Sequence, residues 1–351
     1  MKYILIICLC ILVQFNAVAQ SYGSVIRKTA VELRDSLTEL QKKRVTYDIG
    51  DSARIKWNNL PVGLRARAGI SIGSMTESQR HLLHRLLSVS LSSQGYLKST
   101  SIFHLDNLLN IMYDSLMKQG KIKPETYKML MDLQWSHQNF YLAFFGDPAS
   151  DKQWGYKIEG HHLSLNFSFV NDKIAVTPMF MGTDPAEYPT LEYAGWRVLG
   201  QEEDLGINLI NILSETQRKK ATLDTLVPRD IITGAETGRR LINYWGLKGK
   251  EMNEAQKKIL TNIIREYVFN LEWDKANEEF NKILKAGIDN VYFGWIGSYD
   301  EHQPHYFLLN GPSFLIEFDN ARNHIHTIWR EKGNEYGEDL LKQHYMSSPH
   351  K

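Results

Sequence analysis

Residues 314–345 read FLIEFDNARNHIHTIWREKGNEYGEDLLKQHY, and their first half decides the fold. Two runs, FLIEFDN and HIHTIWRE, alternate apolar and polar residues on either side of a short polar connection. Alternation with a period of two indicates strands with one buried face, and the short connection predicts an antiparallel hairpin. Because side chains two residues apart share a face of a strand, Glu317 and Asp319 project together, as do His324 and His326. The hairpin can therefore gather two carboxylates and two imidazoles in one patch.

The same alternation recurs upstream, in residues 140–146 and 154–180, and predicts a second β-region. Helical periodicity occurs before and between these regions, and the predicted helices cover residues 24–44, 76–91, 100–119, 203–220, 234–245 and 253–285. These patterns predict an α+β fold in which N-terminal helices pack with an antiparallel β-sheet and a helical insertion separates two β-regions. The sequence shows neither an internal repeat nor a linker, so residues 20–351 are expected to form a single domain.

The N-terminus reads MKYILIICLCILVQFNAVAQ, in which Lys2 precedes an apolar run and small residues precede Gln20. This pattern is typical of a secretory signal peptide over residues 1–19. Both cysteines, Cys8 and Cys10, lie within it, so the expected mature chain has neither disulfides nor thiolate ligands. We expect an exported bacterial protein, periplasmic or secreted, with no membrane segment after cleavage.

Charge and composition narrow the class of partner. Lysine plus arginine (41) nearly balances aspartate plus glutamate (40), and the net charge of +1 gives no reason to expect nucleic acid or an anionic membrane surface. An aromatic content of 11% excludes a disordered chain. It also suits a pocket for a small-molecule or carbohydrate-like substrate, which is the partner that we expect.

A histidine pair in the segment GHHL, residues 160–163, is the first of two dense signals. His161 and His162 are expected to open a strand. Because neighbouring residues of a strand face opposite sides, His161 should lie in the core and His162 in a cleft. This geometry argues against a metal ion that both imidazoles share.

The second signal is the HIH spacing of the hairpin, which metal sites use. The candidate ligands of a divalent metal are His324 and His326, together with one of His162 or His344. Imidazole with carboxylate suits zinc, iron, copper or manganese. The candidate catalytic residues are Glu317 and Asp319, either of which could be a general base on metal-bound water, together with His162.

Several ordered blocks of this chain resemble the domain-of-unknown-function 3500 (DUF3500) family. They are GISIGSMTESQRHLLHRLLSVSLSSQGYLKS, FYLAFFGDPAS, WGYKIEGHHLSLNFSF, TPMFMGTDPAEY, NGPSFLIEFDN and HIHTIWREKGNEYGEDLLKQHY. The resemblance implies a shared pattern without an assigned reaction. It singles out His161, His162, Glu317, Asp319, Asn320, His324, His326, Arg330, His344 and Tyr345. Glu335 stands where the family pattern has a shorter carboxylate.

Three classes of function are compatible with these residues. The leading hypothesis is an exported metal-dependent enzyme, with a hydrolase favoured and an oxidative enzyme allowed by the same ligands. A metal-free acid–base enzyme, lyase- or glycosidase-like, needs only a histidine beside Glu317 or Asp319. In a periplasmic ligand-binding or structural protein, these side chains would merely satisfy one another. Stoichiometric metal in the purified protein would exclude the metal-free enzyme. An apolar core around Glu317 and His324, in place of a cleft, would leave no site there and would favour the third class.

Overall fold

The computed structural model describes residues 21–171, 173–235 and 241–347, so the predicted signal peptide lies outside the described residues. The helices are α1 (Tyr22–Asp35), α2 (Glu39–Val45), α3 (Glu77–Ser90), α4 (Ser93–Lys118), α5 (Pro124–Met131), α6 (Gly200–Ile212), α7 (Glu215–Ala221), α8 (Glu254–Val268), α9 (Trp273–Ala286) and α10 (Glu338–Ser347). The strands are β1 (Thr46–Tyr47), β2 (Ile70–Ser71), β3 (Tyr141–Phe145), β4 (Gln153–Gly160), β5 (Leu163–Val170), β6 (Lys173–Ala175), β7 (Met179–Thr183), β8 (Thr222–Asp224), β9 (Leu247–Lys248), β10 (Tyr292–Gly297), β11 (His305–Asn310), β12 (Phe314–Asn320) and β13 (Ile325–Glu331).

One 13-stranded sheet runs through the chain in the order β1-β3-β4-β5-β7-β13-β12-β11-β10-β8, with β2, β6 and β9 paired beside this path. Its neighbours are antiparallel except at the two ends, where β1 is parallel to β3 and β8 is parallel to β10. The predicted α+β fold is confirmed, including the hairpin of β12 and β13 and the helices that separate the two β-regions.

The sheet consists of two halves with the same topology, a repeat that the sequence does not show. Each half runs from a helix pair through a short strand, a long loop and a second short strand to another helix pair, and ends in a four-stranded meander. The first half also contains α5 and β6, which have no counterpart in the second. Details recur as well. The side-chain amides of Gln41 and Gln79 bind each other at 3.2 and 3.0 Å, and those of Gln217 and Gln256 do so at 3.1 and 2.9 Å. A topology can persist while its residues diverge, because packing constrains total volume and pattern more than residue identity.

Helices cover one face of this sheet, and the two long loops cover the other. On the helix face, aromatic rings stack across β4 and β5, with Trp154 and Phe169 at 4.0 Å and Tyr156 and Phe167 at 4.7 Å between centroids. On the loop face lies a smaller buried apolar cluster made of Trp57, Phe180, Ile231, Ile328 and Tyr336. Since this cluster draws on both loops and on β7 and β13, it fixes the loops over the centre of the sheet.

Three predicted helices are pairs of helices in the structure: residues 24–44, 203–220 and 253–285. Each second helix has its own capping side chain, from Thr38, Ser214 and Glu272, which accepts hydrogen bonds from backbone N–H groups. These caps end the preceding helix because they favour extended backbone. The predicted helix at 234–245 falls partly outside the described residues, and residues 241–245 are irregular. Over the described ranges, we find no helix with the length and apolar character needed to cross a membrane.

Candidate metal centre

The imidazoles of His162, His324 and His326 meet on the loop face of the sheet. His324 Nε2 lies 2.7 Å from His162 Nε2 and 3.1 Å from His326 Nε2. One ring nitrogen from each of the three histidines lies within 4.8 Å of the corresponding nitrogens of the other two. Three of the four predicted ligands are therefore brought together. The fourth, His344, lies on α10, and its side chain is outside the described residues.

His161 and His162 form the turn between β4 and β5 rather than opening a strand, so the predicted opposite orientation is wrong. His162 has a φ angle of 61°, which residues other than glycine seldom adopt. Because strand alternation does not apply in a turn, the two rings lie side by side, with centroids 3.7 Å apart. Both residues are buried, and His162 is only 3% exposed to solvent.

His324 and His326 reach the cluster from the β12–β13 hairpin, as the HIH spacing predicts. His326 lies on β13 and His324 immediately precedes it, with ring centroids 4.6 Å apart. Gly182 on β7 is the cross-strand neighbour of His326. A Cβ atom at Gly182 would lie 2.7 Å from the Ile325 carbonyl oxygen of β13 and 3.0 Å from the ring carbon Cδ2 of both His162 and His326. The absence of a side chain at this position thus makes room for the β13 backbone and for the cluster.

Burial keeps two of these histidines neutral. It lowers the pKa of His324 to about 3, with further lowering from His326 and His161. The pKa of His162 lies well below its ordinary value, again chiefly through burial and then through the neighbouring histidines. Neutral imidazole is the form that binds metal ions, so no proton has to leave either ring at physiological pH.

A carboxylate outside the predicted set orients His326. Its Nδ1 donates to Asp230 Oδ1 at 2.7 Å, which leaves Nε2 for the cluster. Metal-binding histidines in proteins commonly donate their other ring N–H to a carboxylate in this way. On the cluster side, Asn59 Nδ2 lies 3.5 Å from His326 Nε2. No spacing pattern links Asp230 or Asn59 to the hairpin, because both come from the long loops.

A second cluster of possible ligands, which the sequence did not predict, adjoins the three histidines. His161 Nδ1 donates to Asp106 Oδ1 on α4 at 2.7 Å, and these two residues form a further possible ligand group with His162. Asp184, just after β7, lies near the same rings. Burial raises the pKa of Asp184, and the charges of His161 and His326 oppose that effect. Carboxylates thus approach the histidines from a helix and from the end of a strand.

Glu317 shares a face with Asp319 as predicted, but its carboxylate binds a loop. It accepts hydrogen bonds from the Ile232 N–H at 2.6 Å, the Thr233 N–H at 3.1 Å and the Tyr306 hydroxyl at 2.8 Å, and also from the Thr233 hydroxyl. Burial raises the pKa of Glu317, while these hydrogen bonds lower it. These contacts favour a role in holding residues 228–235, and a role as general base stays a prediction.

Asp319 differs from Glu317 because its carboxyl group is poorly paired. It lies opposite His326 in the hairpin and is only 1% exposed, and its Oδ1 has no hydrogen-bond partner among the described residues. Burial raises the pKa of Asp319 to about 8, with further raising from the charges of Asp230 and Glu317. A carboxyl group with such a pKa is protonated at neutral pH and can exchange a proton under mild conditions.

Other positions that the resemblance singles out hold the fold together. Arg330 Nε donates to the Thr233 hydroxyl at 2.9 Å, and Arg330 Nη1 donates to Glu335 at 2.6 Å. Asn320 lies on the helix face, where its side chain donates to Glu203 at 2.6 Å. The side chain of Tyr345 is outside the described residues.

The segment GISIG, residues 69–73, matches the GxSxG pattern of serine hydrolases, but the fold accounts for it. Ser71 ends β2 and precedes a 3-10 turn, and no described hydrogen bond joins it to a histidine. Gly69 has a φ angle of 97°, and a Cβ atom there would lie 1.9 Å from a carbonyl oxygen of β3. Gly246 in the second half has a φ angle of 99° and a similar 2.1 Å approach to β10. The first glycine of the pattern therefore serves strand packing.

Comparison with known proteins supports the resemblance noted in the sequence. The family model described as "Protein of unknown function (DUF3500)" matches residues 20–338. The chain belongs to the DUF3500 family. Searches of curated proteins and of solved structures found no similar protein. The histidine cluster itself is therefore the feature of this DUF3500 protein that points to a function.

Proposed function

We propose that the DUF3500 protein is a metal-dependent enzyme, with a hydrolase favoured, and that His162, His324 and His326 bind one divalent metal ion. The convergence of the three imidazole nitrogens on one point carries this proposal. The neutral state of His162 and His324 and the Asp230 contact that orients His326 support it further.

The spacing of the nitrogens is compatible with a small transition-metal ion. Metal–nitrogen bonds of about 2.0–2.1 Å in a tetrahedral site separate two ligand nitrogens by about 3.4 Å. The separations of 2.7 and 3.1 Å are shorter than that by less than about 1 Å, which a small rotation of the rings can supply. A set of histidines with nearby carboxylates suits zinc, iron, copper or manganese. Three protein ligands would leave a fourth position for water or substrate.

The chemistry of such a site is the activation of water. A bound divalent ion lowers the pKa of its water ligand to about 7. Asp319 lies opposite His326, and its Oδ1 has no partner among the described residues, so it is our candidate to take up or return a proton. The substrate that we propose is a small molecule, with a carbohydrate-like one compatible with the apolar and aromatic loop face.

The same contacts also favour a second candidate function, a metal-free acid–base enzyme. The specific observation is the raised pKa of Asp319, about 8, beside a histidine. A protonated carboxyl group next to an imidazole can supply a general acid and a general base, as lyases and glycosidases require.

Elemental analysis of the purified, tag-free chain tests the metal. We expect about one metal ion per chain in the wild type and loss of that metal in a His324→Ala, His326→Ala double variant. The matched control also removes two histidines, with His81→Ala and His302→Asn, whose side chains are 79% and 63% exposed. His302 is replaced by asparagine and not by alanine because the backbone at residue 302 has a φ angle of 65°, which asparagine tolerates. Circular dichroism establishes that every variant is folded.

Each outcome separates the two candidates. Metal retained by the control but lost by the cluster variant would support the metal enzyme. A wild type that stays metal-free after incubation with zinc, iron, copper and manganese would overturn it and leave the acid–base function. Equal metal content in both variants would show that the metal binds elsewhere on the chain.

We further propose that the chain is exported, on the strength of the signal-peptide pattern in residues 1–19. Determination of the N-terminal residue after expression in a bacterium tests this. A mature N-terminus at Gln20 in the periplasm or medium would support export, and an intact chain in the cytoplasm would contradict it.

A further inference from the structure

A cavity of about 430 Å³ lies beside the histidine cluster, between the loop segments 58–65 and 228–235. Two of its lining residues also contact His326. Asp230 accepts from His326 Nδ1 at 2.7 Å, and Asn59 Nδ2 lies 3.5 Å from His326 Nε2. A molecule bound in this cavity would therefore lie next to the candidate metal centre.

The charges around this cavity favour an anion. Its ionisable lining residues are Arg65, Arg229 and Asp230. One oxygen of the Asp230 carboxylate, Oδ1, accepts hydrogen bonds from His326 and from the Ile231 N–H, each at 2.7 Å. The two guanidinium groups outnumber the single carboxylate, so the formal charge of the lining residues is +1. Arginine binds phosphate and carboxylate oxygens with paired N–H donors, which makes these groups the expected ligands.

Buried groups hold both walls of the cavity in place. On one side, Arg67 donates to the Asn58 carbonyl oxygen at 2.9 Å and forms a 2.8 Å ion pair with buried Glu159. On the other side, the backbone N–H groups of residues 232 and 233 donate to Glu317. Walls that are fixed before binding reduce the entropy lost when a ligand is ordered between them. The cavity is thus a built feature of the two loops.

We propose that this cavity binds the phosphate or carboxylate group of a small molecule and places the rest of that molecule beside the histidine cluster. The apolar lining residues Leu60, Pro228, Ile231 and Ala235 contact its uncharged part. That the bound molecule is a substrate rests on the proposed function, whereas binding of the anion does not.

Titration calorimetry on the full chain, treated with a chelator, tests the anion site with inorganic phosphate, phenyl phosphate and benzoate as probes. Arg229→Gln should weaken binding by about tenfold, because it removes a charged hydrogen-bond donor. Arg44→Gln is the matched control, since Arg44 is an exposed arginine on α2 outside the cavity. The control should bind within about twofold of the wild type. Comparison of phenyl phosphate with benzoate distinguishes a phosphate ligand from a carboxylate.

Metal content is measured on untreated samples of the same preparations, so the two proposals can fail separately. Anion binding that depends on Arg229 supports the cavity site whether or not metal is present. No saturable binding of any probe, or equal binding by the wild type and Arg229→Gln, overturns it. Binding that Arg229→Gln leaves intact but His324→Ala abolishes also overturns it, because the anion then binds at the histidines.

Discussion

Replacement of Glu317 by glutamine tests whether this carboxylate holds the loop that carries Asp230. Its oxygens accept hydrogen bonds from the Ile232 N–H, the Thr233 N–H and the Tyr306 hydroxyl. Glutamine keeps one acceptor oxygen and turns the other into an NH2 donor. With the NH2 group at the Oε2 position, the Ile232 N–H and the Tyr306 hydroxyl face a donor inside a fully buried site. With the NH2 group at the Oε1 position, the Thr233 hydroxyl faces a donor and the Thr233 N–H keeps only its 3.3 Å contact with the other oxygen.

The magnitude follows from the number of groups left without an acceptor. A buried donor that loses its partner costs about 1–3 kcal/mol, and up to two donors are affected in each orientation. We therefore expect Glu317→Gln to lower the free energy of unfolding by about 2–4 kcal/mol. A second consequence is faster proteolytic cleavage within residues 225–235, because the loop loses its anchor.

Urea denaturation followed by tryptophan fluorescence measures the stability, and limited proteolysis with mass spectrometry locates the cleavage. The matched control is Glu301→Gln, which makes the same chemical change at a side chain that is 56% exposed. It should stay within about 0.5 kcal/mol of the wild type. Stability of Glu317→Gln within that same margin would refute the reasoning and return Glu317 to the candidates for a catalytic base.

Three further predictions concern the cluster, its pH dependence and the repeat. Gly182→Ala brings a Cβ atom to 2.7 Å from the Ile325 carbonyl oxygen and to 3.0 Å from two imidazole rings, and it should lower the free energy of unfolding by about 1–3 kcal/mol. Gly50→Ala, where a Cβ meets no atom within 4 Å, should not, and equal stabilities of the two variants would contradict the packing. Because Asp319 has a pKa of about 8 when folded against 3.8 ordinarily, the folded state holds a proton that the unfolded state releases, and stability falls as the pH rises between these values. The free energy of unfolding of Asp319→Asn relative to that of the wild type should therefore rise by up to about 1.4 kcal/mol per pH unit between about pH 5 and pH 8, measured by urea denaturation in the presence of a chelator. A difference that does not vary with pH would contradict this. Gln79→Ala and Gln256→Ala remove equivalent helix caps and amide pairs, so each should lower the free energy of unfolding by about 1–2 kcal/mol in urea denaturation. A loss of stability at one site alone would count against their equivalence.

Local patterns were enough to predict much of the fold. Alternating residues identified the β12–β13 hairpin, and the Thr76 capping box marked the start of α3, because strand faces and helix caps depend on neighbours close in sequence. The breaks within three predicted helices also had sequence signals, in caps such as Thr38 and Ser214, but helical periodicity on both sides hid them. The two-fold repeat had no such signal, since topology does not require similar residues.

The sequence by itself determined the α+β class, the shared face of Glu317 and Asp319, and the proximity of His324 to His326. Each of these depends on spacing within a strand or a hairpin. Only the tertiary structure decided which residues surround the imidazoles. It brought His162 to the cluster through a turn, and Asp230 and Asn59 through loops of opposite halves. It also gave the two carboxylates of one face different surroundings: Glu317 binds the loop, whereas Asp319 Oδ1 has no hydrogen-bond partner among the described residues. Sequence could not predict this, because hydrogen-bond partners and burial are set by segments distant in sequence.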